Sequence, residues 1–191
     1  MSDMAVELVP RTFTVAEYHR MAEAGIIGRR ERVELLDGLI VTMPPIGVPH
    51  WMSHARLVAY LIEKFKDRAI VPGMISIPLG ERNEPEPDIA VLAQLPYDRL
   101  NRTPEPSEIY TTIELADSSL AKDTRTKRRL YARFGIADYL VVDLNADILL
   151  HFSRPAGDDY PEPRTLRRGD RFVLAALPDI ELEAERFLHE R

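Results

Sequence analysis

Two carboxylates set into otherwise apolar, strand-like runs constrain this chain more than any other feature. Asp88 follows Pro87 and opens Ile89-Ala90-Val91-Leu92, and Glu114 lies inside Thr112-Ile113-Glu114-Leu115-Ala116. Short apolar runs rich in β-branched residues read as buried strands. A carboxylate carried into such a low-dielectric setting must pair, take up a proton or bind a cation. If the two strands are neighbours, both acids face one hard cation such as Mg²⁺, which one or two protein carboxylates usually hold while several waters remain.

The elements on either side read as follows. Thr14 and Glu17 have the spacing of a capping box, and Val15, Tyr18, Met21 and Ala22 recur at helical intervals, so a first helix is expected over about 14–24. The runs VELL and LIVTM, joined by Asp37-Gly38, predict a β-hairpin between Arg32 and Met43. A long helix is expected from His50 to Asp67, with Trp51, Ala55, Val58, Ile62 and Phe65 at the helical period. Strands are expected at Met74–Leu79, Asp88–Ala93 and Ile109–Leu115, with loops over Glu81–Pro87 and Pro96–Glu108. Asp123 is placed to cap a third helix running to Phe134, and Lys127, Leu130, Tyr131 and Phe134 lie on its inward stripe. Strands at Asp138–Asp143 and Ile148–Ser153 flank the turn Asn145-Ala146-Asp147, a polar loop follows over Arg154–Gly169, and Arg171–Leu174 forms a last short strand. This order predicts an α/β (α+β) fold, a central mixed β-sheet flanked by helices.

At 191 residues the chain is long enough for one substantial core and short for two, so residues 12–191 are expected to form a single domain behind a tail at 1–11. No run approaches the roughly 18–20 apolar residues of a membrane span, so no membrane partner is expected. The N-terminus lacks a basic start followed by an apolar run, and the sequence has no cysteine; together these suggest a cytoplasmic protein. Cysteine chemistry is thereby excluded, and any metal ligand must be oxygen or imidazole. A net charge of −6 argues against coating nucleic acid by global electrostatics, although acids gathered around a cation inflate that count.

From the residues alone, two readings of the acids stand. Asp88 and Glu114 hold a divalent cation with Lys127 stabilising charge on a phosphate, or Asp88 caps a loop and Glu114 pairs with Arg125 or Arg128. Glu34, in the hairpin, is either a third acid of the site or an exposed hairpin residue. His50 and His54 have zinc-compatible spacing but lack the HExxH glutamate and are read as non-zinc residues. His50 either contacts a phosphate at the site mouth or is a solvated helix-start residue. Lys122, Arg125, Arg128, Arg129 and Arg133, with Arg167, Arg168 and Arg171, offer candidate phosphate contacts, Arg125 among them, although such runs are commonly solvated faces. Ser118-Ser119 lacks a nucleophile elbow, and no phosphate-cradling or dinucleotide-binding glycine motif is present.

The runs PEPDIAVL and IELADSSLAKDTRTKRRLYARFGIADYLVVD resemble the core of the Uma-type restriction endonuclease family of the PD-(D/E)XK superfamily. The matching positions are Pro87-Asp88, Glu114, Ser118-Ser119, the helix residues Asp123, Lys127 and Tyr131, then Gly135 and Asp138-Tyr139, with the VELLDG hairpin and His50 upstream. The resemblance covers Thr12 to Leu182. It implies a restriction-endonuclease-like fold and a metal-dependent endonuclease that hydrolyses DNA. Asp88 and Glu114 would be metal ligands for Mg²⁺ or Mn²⁺, and Asp88, Glu114, Lys127 and Glu34 the catalytic group. His50 and Arg125 would then be substrate contacts. Superfamily enzymes often act as dimers, so a homodimer joined in part through Pro96–Pro106 belongs to the same set of expectations. A non-catalytic interaction protein on the same scaffold, and a metal-dependent hydrolase of small phosphate esters, are the competing functions. Two departures from the family stand out: the superfamily lysine position two residues after the strand acid holds Ala116, leaving Lys127 to serve from the helix, and Asp138 replaces the family's usual glutamate.

Overall fold

The computed structural model describes residues 9–94 and 102–189. The expected tail at 1–11 and the loop at Pro96–Glu108 therefore lie partly outside the described residues.

The N-terminal half forms a helix and a hairpin that pack beside the main sheet. Helix α1 (Val15–Glu23) begins at Thr14, whose hydroxyl accepts from the Glu17 amide while the Glu17 carboxylate accepts from the Thr14 amide, as the capping-box spacing predicts. Strands β1 (Val33–Leu36) and β2 (Leu39–Thr42) pair antiparallel with Leu36 opposite Leu39, which leaves Asp37-Gly38 as a two-residue loop. Both loop residues have positive φ, 49° and 77°, which a tight hairpin following the strand twist requires. A Cβ at Gly38 would stand 2.6 Å from the Thr12 side chain, so the loop also needs a residue without one.

The central sheet has the order β3-β4-β5-β6-β7-β8. Its strands are β3 (Ala69–Ile70), β4 (Ile89–Ala93), β5 (Ile109–Ala116), β6 (Asp138–Asp143), β7 (Ile148–Ser153) and β8 (Arg164–Leu166). All neighbours are antiparallel except β5 and β6, which run parallel. A parallel neighbour cannot be reached by a tight turn, so the chain crosses over through a helical segment. That segment is α3 (Leu120–Lys122), a π-helical turn (Asp123–Lys127) and α4 (Arg128–Arg133), closed by Gly135 at φ 72°.

Both faces of the middle strands are covered. On one face Ile89, Val91, Ile113, Leu115, Leu140 and Val142 pack against the long helix α2 (Val48–Phe65) and against the small sheet of β9 (Arg171–Leu174) and β10 (Leu177–Glu183). On the other, Ala90, Ala116, Tyr139 and Val141 meet Leu130 and Tyr131 of α4 and Leu36 of the hairpin. Because successive side chains alternate, this register turns Glu114 toward the crossover helix and away from α2. The mixed sheet between helices is the architecture expected from the order of elements.

Several local readings are corrected. Helix α2 does not turn the expected stripe inward: Trp51 and Ile62 are about half exposed, and the helix instead buries Leu57, Tyr60 and Leu61 along with Phe65, because its apolar residues spread over more than one face and the period alone does not choose between them. Met74–Leu79 is not a regular strand: only Ile77 and Leu79 donate backbone bonds, to Pro85 and Asn83, while Pro78 between them has no N–H. Both side chains are nonetheless fully buried, so the apolar signal reflects burial rather than a ladder. Asp123 is not a helix cap. The helix starts earlier, at Leu120, and Asp123 lies within it, buried. Three further strands arise where sequence patterning was silent: the short β3, paired to β4, β8 inside the stretch read as a polar loop, and β10, paired to β9. Asp138 accepts from the Ala175 amide and bonds the buried His151 at 2.7 Å, which ties β6 to β7 and to the loop after β9.

Candidate active site

Four sequence-nominated groups converge on one pocket. Asp88, Glu114, Lys127 and His50 line it, together with Arg32, Glu86, Asp117, Ser118, Ser119, Lys122 and Asp123. Its volume of about 70 Å³ leaves space for several waters. Asp88 is delivered by the entry to β4, Glu114 by the sheet face of β5, Lys127 by the π turn, and His50 by the first turn of α2.

The helix reaches the pocket with a stripe of residues four apart: Ser119, Asp123, Lys127 and Tyr131. In an α-helix a four-residue step overshoots a full turn by about 40°, so a long row at that spacing slides off one face. The wider π turn over Asp123–Lys127 takes up part of this drift. Asp123, Lys127 and Tyr131 consequently all point inward, none more than 2% exposed.

Lys127 is the centre of the charge network. Its ammonium donates to Glu114 at 2.8 Å, contacts Glu34 at 3.0 Å and reaches the Glu86 carbonyl at 3.3 Å. Burial by itself would depress its pKa, but the Glu114, Glu34 and Asp123 carboxylates outweigh this and raise it, so Lys127 stays charged. Tyr131 adds a second donor to Glu114, 3.2 Å from the oxygen that Lys127 holds. Burial, with Asp123, Asp88 and Glu34 nearby, pushes the Glu114 carboxyl well above the usual range despite Lys127.

Asp88 lines the same pocket in a different environment. Its Oδ2 accepts from the Leu115 amide at 2.7 Å and meets His50 Nε2 at 3.1 Å. Burial works against its charge, but the His50 and Leu115 hydrogen bonds and the Lys127 charge prevail and hold its pKa below the ordinary value. The Leu115 amide comes from the residue next to Glu114, so one backbone bond fixes the two acids relative to each other. His54 takes no part in the pocket; its Nε2 donates to the Asp88 carbonyl.

Glu34 is buried, 1% exposed, which removes the exposed-hairpin reading. Both of its oxygens are engaged: Oε1 with Lys122 at 2.6 Å, Oε2 with Lys127 at 3.0 Å and with the Glu86 amide at 3.3 Å. It holds two ammonium groups in place rather than presenting a free oxygen. Arg125, by contrast, is exposed and lines a separate groove with Asp37, Arg129, Arg133 and Asp159, and the structure does not bring it to the acid pocket. Of the other basic residues, Arg133 pairs with Asp37, Arg128 with Asp159, Arg168 with Asp147 and Arg171 with Glu181.

Among the described residues no group of three or more acids and histidines is spaced to hold an ion directly. Mg²⁺ does not require one, since one or two carboxylates with retained waters suffice. The pocket lining carries the acids Glu86, Asp88, Glu114, Asp117 and Asp123 against the cations Arg32, Lys122 and Lys127. These carboxylates are oxygen donors of the kind a hard cation takes, with the His50 imidazole beside them in the lining.

The family profile described as "Putative restriction endonuclease" (Uma2) matches residues 15–185. A solved crystal structure of a "putative nuclease belonging to DUF820" from Anabaena variabilis ATCC 29413 superposes with a TM-score of 0.70 at 17% identity, covering 93% of this chain and 97% of that one. At that identity the likeness speaks to the fold. No curated protein matches the sequence.

Proposed function

Since this chain belongs to the Uma2 family, we propose that it is a metal-dependent nuclease that hydrolyses phosphodiester bonds in DNA, with Asp88 and Glu114 holding Mg²⁺ or Mn²⁺. The observation that carries this reading is the meeting of Asp88, Glu114 and Lys127 in one pocket, from two strands and a helix.

The chain's own residues divide the work. Asp88, kept ionised by His50 and the Leu115 amide, is the anchoring ligand, and Glu114 is the second. When bound, the cation supplies Lewis-acid polarisation of a phosphate oxygen and a more acidic water. Lys127, charged and shielded from bulk water, is placed to stabilise negative charge on the phosphate. Glu34 serves as a positioning residue, fixing Lys127 and Lys122. His50 stands at the pocket wall beside Asp88, where it fixes that carboxylate.

The test is cleavage of plasmid and single-stranded DNA with Mg²⁺ or Mn²⁺ by wild type, Asp88→Asn and Lys127→Met. Each substitution is expected to lower the rate by about 100-fold or more. Cleavage that survives both substitutions rejects the site, and turnover of small phosphate esters with DNA left intact rejects the substrate.

A further inference from the structure

Asp123 is buried in the wall of the acid pocket with one oxygen left over. It is 1% exposed and lines the pocket, its Oδ2 accepts from the Ser119 hydroxyl at 2.5 Å, and its Oδ1 is buried without a hydrogen-bond partner. Buried carboxylate oxygens are seldom left so, because an unmatched acceptor away from water is costly. The surrounding backbone does not resolve this. The nearby Tyr139 hydroxyl donates to the Asp123 carbonyl, and the neighbouring Lys127 ammonium is committed to Glu114, Glu34 and the Glu86 carbonyl.

We propose that Asp123 is a third acidic residue of the cation site, acting through water: its Oδ1 accepts a hydrogen bond from a water of the hydrated divalent cation held by Asp88 and Glu114. The inference rests on the cation reading of that pocket. Direct coordination is ruled out by the spacing, since no three acids among the described residues come close enough to share an ion. A water bridge needs only the space the pocket has and a cation that keeps its waters, as Mg²⁺ does. Ser119 has a defined part in this arrangement. By donating to Oδ2 it leaves Oδ1 as the acceptor still to be matched, and both residues line the pocket.

The experiment is calorimetric titration of wild type, Asp123→Asn, Ser119→Ala and Asp88→Asn with MnCl₂ alone, paired with melting curves with and without Mn²⁺. Loss of a hydrogen-bond partner outside a metal's direct ligands lowers affinity by about 10- to 100-fold. Asp123→Asn is expected within that range, Ser119→Ala nearer its lower end, and Asp88→Asn without measurable binding. The melting shift produced by Mn²⁺ is expected to shrink in the same order. Should Asp123→Asn bind Mn²⁺ as wild type does while melting higher in its absence, Asp123 is only a strained buried acid and this inference falls, with the cation site intact. Should wild type bind no cation, or Asp88→Asn bind as tightly as wild type, the reading beneath it falls as well. If Asp123→Asn fails to fold, Ser119→Ala decides: unchanged affinity there overturns the proposal.

Discussion

At Glu34 a single side chain shows how burial and charge compete. Burial pushes its carboxyl pKa up, the Lys127 and Lys122 ammonium groups pull it down, and the pull prevails. A carboxyl depressed in the folded state stabilises the protein above the ordinary carboxylate range and loses that contribution as pH falls through the depressed value. Glu34→Gln is therefore expected to cost roughly 1–3 kcal/mol at neutral pH, with the difference from wild type closing in strong acid. Urea midpoints measured across pH check this, and a gap that widens toward acid would contradict it. Lys127 is the more severe position, because its removal leaves the buried Glu34 and Glu114 without the ammonium that both contact. Lys127→Met is expected to cost about 3–5 kcal/mol. Adding Glu34→Gln should recover part of that loss in a double-mutant cycle, since Glu34 is the carboxylate that Lys127 holds in its charged form.

Among the elements, the crossover from β5 to β6 does most to build the site. Parallel pairing of these strands obliges the chain to return over one sheet face, and Glu114 points to that same face. The π turn within the return then keeps Asp123, Lys127 and Tyr131 in register with the pocket. The hairpin has the complementary task of carrying Glu34 under the helix. Its loop depends on Gly38, where a methyl group would both meet Thr12 and resist the positive φ. Gly38→Ala is expected to destabilise by more than about 1 kcal/mol. Through Glu34 it should also loosen Lys127, and a fall in urea midpoint accompanied by weaker DNA cleavage would show both effects. Thr14→Ala, which removes the capping box of α1, is expected to cost about 1 kcal/mol and leave cleavage unchanged.

Taken whole, the molecule is acidic, with a net charge of −6, and several of its arginines are neutralised by internal partners. Long-range attraction to phosphate is therefore weak, and affinity must be generated at the pocket. DNA binding, followed by fluorescence anisotropy with an inert cation such as Ca²⁺, is expected to be slight in chelator and to rise on adding the ion. Equal binding in the two conditions would point to a basic surface elsewhere as the docking site. No helix among the described residues is long and apolar enough to cross a membrane.

Much of this was legible in the chain itself. The capping box of α1, the Asp37-Gly38 hairpin and the apolar runs of β4 to β7 each depend on neighbours within a few residues, so local chemistry determines them, whereas which apolar face of α2 turns inward was decided by the sheet it packs on. The need of Asp88 and Glu114 for partners was equally readable, because burial of a carboxylate in a strand has few solutions. The strand at β8, the engagement of both Glu34 oxygens by lysines, and the placement of Asp123 inside the helix rather than at its cap were decided by tertiary structure. Each depends on which distant segment arrives alongside. A strand in a polar stretch exists only because β7 offers it an edge, and a carboxylate becomes a clamp, a ligand or a leftover acceptor according to the donors that the fold brings within about 3 Å.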